Sequence, residues 1–221
     1  MKAPLFLSAS PMGATARGHT LAIEALENLR RHHPSLKVTA RDLSQGGFGQ
    51  ITADYAEAIL SHADHADPAF TASEILIREL EETDALVIAT PMHNYTVPVA
   101  LKLWIDLVLR AGRSFGFRDG RKVGLLADRP TLILVSSGGL VRGVAASQPD
   151  HLSGYLTDVL KTIGICDLSF VFLEALARSD RAEQAIAQGR QEIAADERFG
   201  SGPTAEVALL DKVVLPICCR T

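Results

Sequence analysis

The chain has 221 residues, 47% hydrophobic and 22% charged, which is enough apolar material for one globular domain with a proper core, taken here as residues 1–221. Its formal net charge of −4 argues against nucleic acid or an anionic membrane surface as partner and points to a small molecule. The cysteines, Cys166 and the adjacent Cys218 and Cys219, are too few and too oddly spaced for a disulfide framework, so a reducing cytoplasm is the expected compartment. The opening Met1-Lys2 and the run Ala3 to Ala9 mimic a short signal peptide, yet the run reads equally well as a first strand. No apolar run approaches the roughly 20 residues needed to span a bilayer.

In chain order, a first strand is expected over Leu5 to Ala9, then a loop from Ser10 to Arg17. A helix follows from about Gly18 to Arg31, with Leu21, Ala25 and Leu29 on one face. Lys37 to Ala40 alternates as a second strand. The polar stretch from Ser44 to Pro68 shows weak helical character around Tyr55 to Leu60. There His62 and His65, with Asp64 and Asp67, have one-turn spacing, but no cysteine or second ligand pair accompanies them and no metal is expected. Thr71 and Glu74 have the spacing of a capping box ahead of Ile75, Leu76 and Leu80, predicting a helix that ends near Thr83.

Ala85-Leu86-Val87-Ile88-Ala89 is a strand of pure core, followed by the polar and aromatic segment Thr90 to Tyr95. Pro98 opens a helix to about Arg110. Ala100, Leu103, Trp104 and Leu107 form one apolar face of it and Leu101, Ile105 and Leu109 another, leaving Lys102 and Asp106 as a narrow polar strip. A helix apolar nearly all round needs two covers, one being its own sheet. A second copy of the chain is the expected other cover, making a homodimer through residues 98–110.

Gly112 to Asp128, rich in Gly and charge, reads as an excursion or lid in which Phe115 and Phe117 alternate. A fourth strand over Thr131 to Val135 leads into Ser136-Ser137-Gly138-Gly139. A helix from about Asp150 to Ile163, a fifth strand over Leu168 to Leu173, a helix from about Asp180 to Asp196 and a tail complete the chain. Alternating strands and helices imply an α/β fold, a doubly wound five-stranded parallel sheet of order 2-1-3-4-5 with helices on both faces.

In that order the loops starting at Ser10, Pro91 and Ser136 converge at the carboxyl edge of the sheet, beside its switch point. The first leads into a helix N-terminus, whose free N–H groups and dipole attract phosphate. The second offers amide and aromatic groups, and the third small residues that let backbone approach a planar ligand. Together they describe a mononucleotide site. Neither Gly-x-Gly-x-x-Gly nor Gly-x-Ser-x-Gly occurs in the last loop, which weakens dinucleotide-fold and serine-hydrolase readings.

The residues Ala9-Ser10-Pro11, Pro91-Met92-His93-Asn94-Tyr95 with Pro98, Leu101-Lys102 and Trp104-Ile105-Asp106, Arg110 to Phe115, and Ser136-Ser137-Gly138-Gly139 carry a resemblance over roughly residues 3 to 175. On them the chain resembles the FMN-dependent NADH-azoreductases within the flavodoxin-like quinone reductases. The resemblance implies an FMN-binding homodimer that takes hydride from NADH or NADPH and passes electron pairs to quinones or azo compounds in a ping-pong cycle. It places Ser10 and the turn Ala16-Arg17-Gly18 at the phosphate. Pro91, Met92, His93, Asn94 and Tyr95 would line the flavin, and Ser136, Ser137, Gly138 and Gly139 the other end of the ring.

The chain departs from that family in three places. Ala16 and Gly18 stand where Ser-x-Ser is common, with Arg17 between them; His93 replaces a usual Tyr, and Ser137 a frequent Arg. Arg17 can replace the lost hydroxyls with a charge-assisted pair, and His93 is a candidate proton donor. The alternatives are a flavodoxin-type electron carrier or flavin-binding regulator, or a domain that has exchanged FMN for another ligand.

Overall fold

The computed structural model describes residues 1–200, so the Cys218-Cys219 tail lies outside the described residues. The chain runs β1 (Pro4–Ser8), α1 (Arg17–His32), β2 (Thr39–Asp42), α2 (Ala53–Leu60), α3 (Thr71–Glu81), β3 (Ala85–Pro91), α4 (Val99–Val108), β4 (Phe115–Arg118), β5 (Arg121–Gly124), β6 (Thr131–Ser136), α5 (Ser153–Ile163), β7 (Leu168–Leu173) and α6 (Ser179–Ala195). The main sheet is parallel with the order β2-β1-β3-β6-β7, the expected order once the β4–β5 hairpin is set aside.

The middle strand is pure core because both its faces are covered. Side chains alternate across a strand, so Leu86 and Ile88 join Leu5, Leu7, Ile133 and Val135 in a core with α3, α4 and α5. Val87 and Ala89 join Phe6, Leu132 and Leu134 on the other face, with Leu21, Ala25 and Leu29 of α1 and Ile193 of α6. Parallel strands all end at the same edge, which brings the loops after β1, β3 and β6 together. Among the described residues, no helix is long and apolar enough to cross a membrane.

Four local expectations need correction. β2 starts two residues late, at Thr39, because the Lys37 N–H is taken by the Lys2 carbonyl at 2.9 Å before the ladder to β1 begins. No residue of this edge strand is fully buried, and without a buried face alternation specifies register weakly. At α3 no capping box forms: Thr71 is already helical, its hydroxyl donates to Pro68 O at 2.8 Å, and Glu74 turns instead to Arg110 and Arg113. α5 starts at Ser153, not Asp150, because Asp150 is spent as an acceptor for the Leu152 and Ser153 N–H groups, both at 2.9 Å. The lid is an antiparallel hairpin turned by Asp119-Gly120, both with positive φ as a two-residue hairpin turn requires. It divides the two aromatics: Phe115 is buried and Phe117 exposed.

Helix α4 is covered largely within the one chain. Leu101, Trp104, Ile105, Leu107 and Val108 are buried against the sheet, α3 and the turn at Leu43–Gln45. The remaining outer strip is Val99, Lys102, Leu103 and Asp106, with the Lys102 ammonium 2.6 Å from the Asp106 carboxylate.

Candidate functional site

The first loop ends at Ala16, an extended residue (φ −65°, ψ 132°) that caps α1 without a side-chain hydrogen bond. The helical ladder begins with the Thr20 N–H on Ala16 O at 3.0 Å. Every helix start leaves its first N–H groups without intrahelical partners, and here those of Arg17, Gly18 and His19 find none among the described residues. They open on a cavity of about 150 Å³ lined by Ser10, Met12, Ala16, Arg17, Gly18 and His19 from the first loop and helix, Ala89, Thr90 and Pro91 from β3, and Ser136 and Leu176. The convergence of loops read from strand order is therefore real, and it is tight. A Cβ on Gly18 would stand 2.7 Å from Ser136 Oγ, so glycine is what lets α1 approach the end of β6.

The second loop is a reversal held by two backbone bonds between His93 and Thr96, at 2.9 and 3.1 Å. Its middle residues, Asn94 (φ 47°) and Tyr95 (φ 75°), both lie in the left-handed region. For a bulky residue such as Tyr95 that is an outlier, and outliers of this kind cluster where a site constrains the chain. The reversal is tied down at both ends: Met92 N–H donates to Ser136 O at 2.8 Å, and Tyr95 O accepts from His151 N–H at 3.0 Å. His93, Asn94 and Tyr95 are exposed, Met92 half-buried.

The third loop passes from Ser136 into buried Ser137, then Gly138 and Gly139. The Ser137 N–H donates to Leu173 O at 2.8 Å and its hydroxyl accepts from Gln148 Nε2 at 2.8 Å. Gln148 also lies 3.9 Å from Met92 Sδ, joining the second and third loops. Glu174 holds the following excursion by accepting the Val141 and Arg142 N–H groups at 2.6 and 2.9 Å. Burial pushes the Asp150 carboxyl up, but the Ser153 hydroxyl and the Ser153 and Leu152 N–H groups outweigh it and hold the group below its ordinary value.

Of the residues singled out from sequence, Ser10, Ala16, Arg17, Gly18, Pro91 and Ser136 share the cavity. Met92, His93, Asn94, Tyr95, Ser137, Gly138 and Gly139 belong to the adjoining loops and do not line it. Sequence reading put Met12 and Thr90 in the converging segments without naming them as site residues, and passed over His19, Leu176 and Gln148. For His19 a signal existed, since the third residue of a helix that receives an anion shares its mouth; nothing local marks Gln148, which reaches Ser137 across an excursion. The His62 to Asp67 stretch is used locally: Asp64 and Asp67 accept the Ala66 and Ala69 N–H groups, and His65 lies beside Arg110.

Residues 2–196 match the family described as having the flavodoxin-like fold. The chain belongs to that family. Among its relatives is the FMN-dependent NADH:quinone oxidoreductase 5 of Burkholderia lata, 50% identical over 182 residues that cover 82% of this chain and 89% of the relative. Another, the FMN-dependent NADH:quinone oxidoreductase 4 of Pseudomonas fluorescens, is 48% identical over 181 residues, covering 82% and 88%. Among solved structures, an azoreductase from Bacillus anthracis superposes with a TM-score of 0.75 at 25% identity, covering 87% of this flavodoxin-like chain and 96% of its own.

The cavity's chemistry suits the phosphate end of a flavin mononucleotide. Its unpaired N–H groups, Ser10 and Ser136 hydroxyls and Arg17 suit a phosphate.

Proposed function

We propose that this chain is an FMN-dependent NAD(P)H oxidoreductase, a single cytoplasmic domain per copy, which reduces quinones and azo compounds. The observation that carries this reading is the cavity at the start of α1, where unpaired N–H groups meet Ser10, Arg17 and Ser136 directly beside the strained His93–Thr96 reversal. The activities of the two related oxidoreductases and of the azoreductase support the same conclusion.

Ser10, the N–H groups of Arg17 and Gly18 and the Arg17 guanidinium hold the phosphate. The reversal at Asn94 and Tyr95 presents backbone to the polar edge of the ring, with Met92 against its apolar part. Ser137, fixed by Gln148, and Gly138-Gly139 border its other end. When bound, FMN supplies the hydride-accepting and hydride-donating chemistry, so no side-chain nucleophile is required. The chain's task is orientation, with one open slot for reductant and acceptor in turn, the ping-pong order. Protons reach that slot from water, and His93 stands exposed at its rim. Two copies meet along the outer strip of α4, at Val99 and Leu103.

The visible spectrum of the purified protein, followed by anaerobic NADH or NADPH addition and then a quinone, tests the reading. A yellow protein bleached by the nicotinamide and recoloured by the quinone is expected. A colourless protein that takes up no added FMN would refute it, and a yellow one that neither nicotinamide bleaches would make it a carrier. Parallel initial-velocity lines are expected for the ping-pong order, intersecting ones would exclude it, and sedimentation at low micromolar concentration would show a monomer if the dimer is wrong.

A further inference from the structure

We propose that His19 binds the phosphate of the mononucleotide through its Nε2, a role that rests on the FMN reading above. Ala16 and Gly18 bring no hydroxyl to the turn, and the Thr15 and Thr20 hydroxyls donate to Met12 O and Ala16 O, so beyond Ser10 the cavity-lining side chains of the first loop and helix start that can donate to an anion are Arg17 and His19. Arg17 is exposed. His19 is half-buried, lines the cavity, and is fixed on two sides. Its Nδ1 lies 2.9 Å from Ser8 Oγ, and its ring meets the Phe6 ring edge-on, with centroids 5.1 Å apart. Ser8 itself is 1% exposed and has no other side-chain hydrogen bond among the described residues, so its hydroxyl is committed to the imidazole.

That pairing decides what the other nitrogen offers. A hydroxyl both donates and accepts. A neutral imidazole protonated on Nδ1 would donate to Ser8 Oγ and leave Nε2 an acceptor, but the buried Ser8 hydroxyl proton would then have no side-chain acceptor among the described residues. When Ser8 instead donates to Nδ1, the ring proton sits on Nε2, and a cationic ring also carries a proton there. In those two forms Nε2 is a donor, and it has no partner among the described residues. His19 lines the cavity on which the unpaired N–H groups of the first turn of α1 open, the place where a phosphate gathers hydrogen bonds. Ser8 is then a positioning residue, acting on the phosphate through the tautomer of His19.

Dissociation constants of FMN and of riboflavin, which lacks the phosphate, test this in the apo-protein by fluorescence quenching. His19→Ala is expected to weaken FMN about tenfold or more, the worth of one hydrogen bond to a charged group, with riboflavin unmoved. An equal loss for both flavins would mean that His19 only supports the fold of the loop, and an unchanged FMN constant would mean it makes no contact; either overturns the proposal. Should His19→Ala not fold, His19→Phe keeps the packing on Phe6 and is read by the same ratio. If the unsubstituted protein binds FMN no better than riboflavin, the phosphate site itself is gone and the functional reading falls with this one. A normal preference for FMN that survives both substitutions removes His19 alone.

Discussion

Arg17 and Arg110 are the same residue type in opposite circumstances. Arg110, at the end of α4, is 1% exposed and held on several sides: it pairs with Glu74, donates to Ser73 Oγ at 3.1 Å, and stacks 4.3 Å above the Phe70 ring, while its buried Nε has no hydrogen-bond partner among the described residues. Arg113 extends the network to Glu74 at 3.2 Å and Glu81 at 2.5 Å. Arg17, at the start of α1, is exposed and makes no ion pair among the described residues. A buried charge must find its partners within the fold or unfold it. A charge at a cavity mouth stays hydrated until a ligand arrives, and that is the condition for binding. One arginine is built into the fold; the other is the one proposed for recognition.

The largest effect is expected from Arg110→Met, which removes a buried charge pair and leaves Glu74 with Arg113 alone. Breaking a buried pair costs about 3–5 kcal/mol, read as a lower urea midpoint, while whatever remains folded should bind FMN normally. An unchanged midpoint would end the contrast from the stability side. Arg17→Ala should do the reverse, weakening FMN by about 1.5–3 kcal/mol, the worth of a hydrogen bond to a charged group, without moving the midpoint. If affinity holds, Arg17 points to solvent and the phosphate relies on backbone and His19.

Gly18→Ala joins the two terms. Its Cβ would meet Ser136 Oγ, and overpacking of this kind costs about 1–3 kcal/mol. Displacement of α1 from β6 should appear as weakened FMN more than as lost stability. Equal losses in both would show that the close approach serves the fold alone.

The smallest effect is acid sensitivity of the Arg113 arm. The hydrogen bond from Arg113 holds Glu81 below its ordinary value; burial pushes Glu74 up, but Arg110 and Arg113 together bring it below as well. A carboxyl lowered in the folded state stabilises fully above its unfolded value and loses that contribution as pH falls through the folded one. Urea midpoints should therefore begin to drop below about pH 4, and Glu81→Gln should remove part of the slope. A slope identical in the variant would show that this exposed arm carries no net stabilisation.

The central strand was legible because burial on both faces makes its run unmistakable, and Ala85 to Ala89 lies where sequence reading put it; so does Leu168 to Leu173, an edge strand half-buried at its start but apolar through most of its length. Edge strand β2 was displaced because no buried face pinned it. The capping box at Thr71 failed because Glu74 had a stronger partner, Arg110, in another element. The hairpin was missed although Asp119-Gly120 is a strong turn signal, since its flanks, Phe115 to Arg118 and Arg121 to Gly124, are too short and charged to announce strands. The second cover on α4, assigned to another copy, comes in large part from α3 and the Leu43–Gln45 turn, which periodicity within one helix cannot reveal.

By itself the sequence determined the alternation of strands and helices, the sheet order, and the three loops at its carboxyl edge, because apolar periodicity is local and parallel strands leave few places for a ligand. It also carried the family, through the block from Pro91 to Asp106 and its companion loops. Tertiary structure alone decided that Gly18 closely approaches Ser136, that Gln148 braces Ser137, that Tyr95 is held in the left-handed region, and that Ser8 engages the Nδ1 of His19. Each of these is a contact between elements or a backbone angle imposed by such contacts, and distances between elements are set by packing rather than by any pattern along the chain.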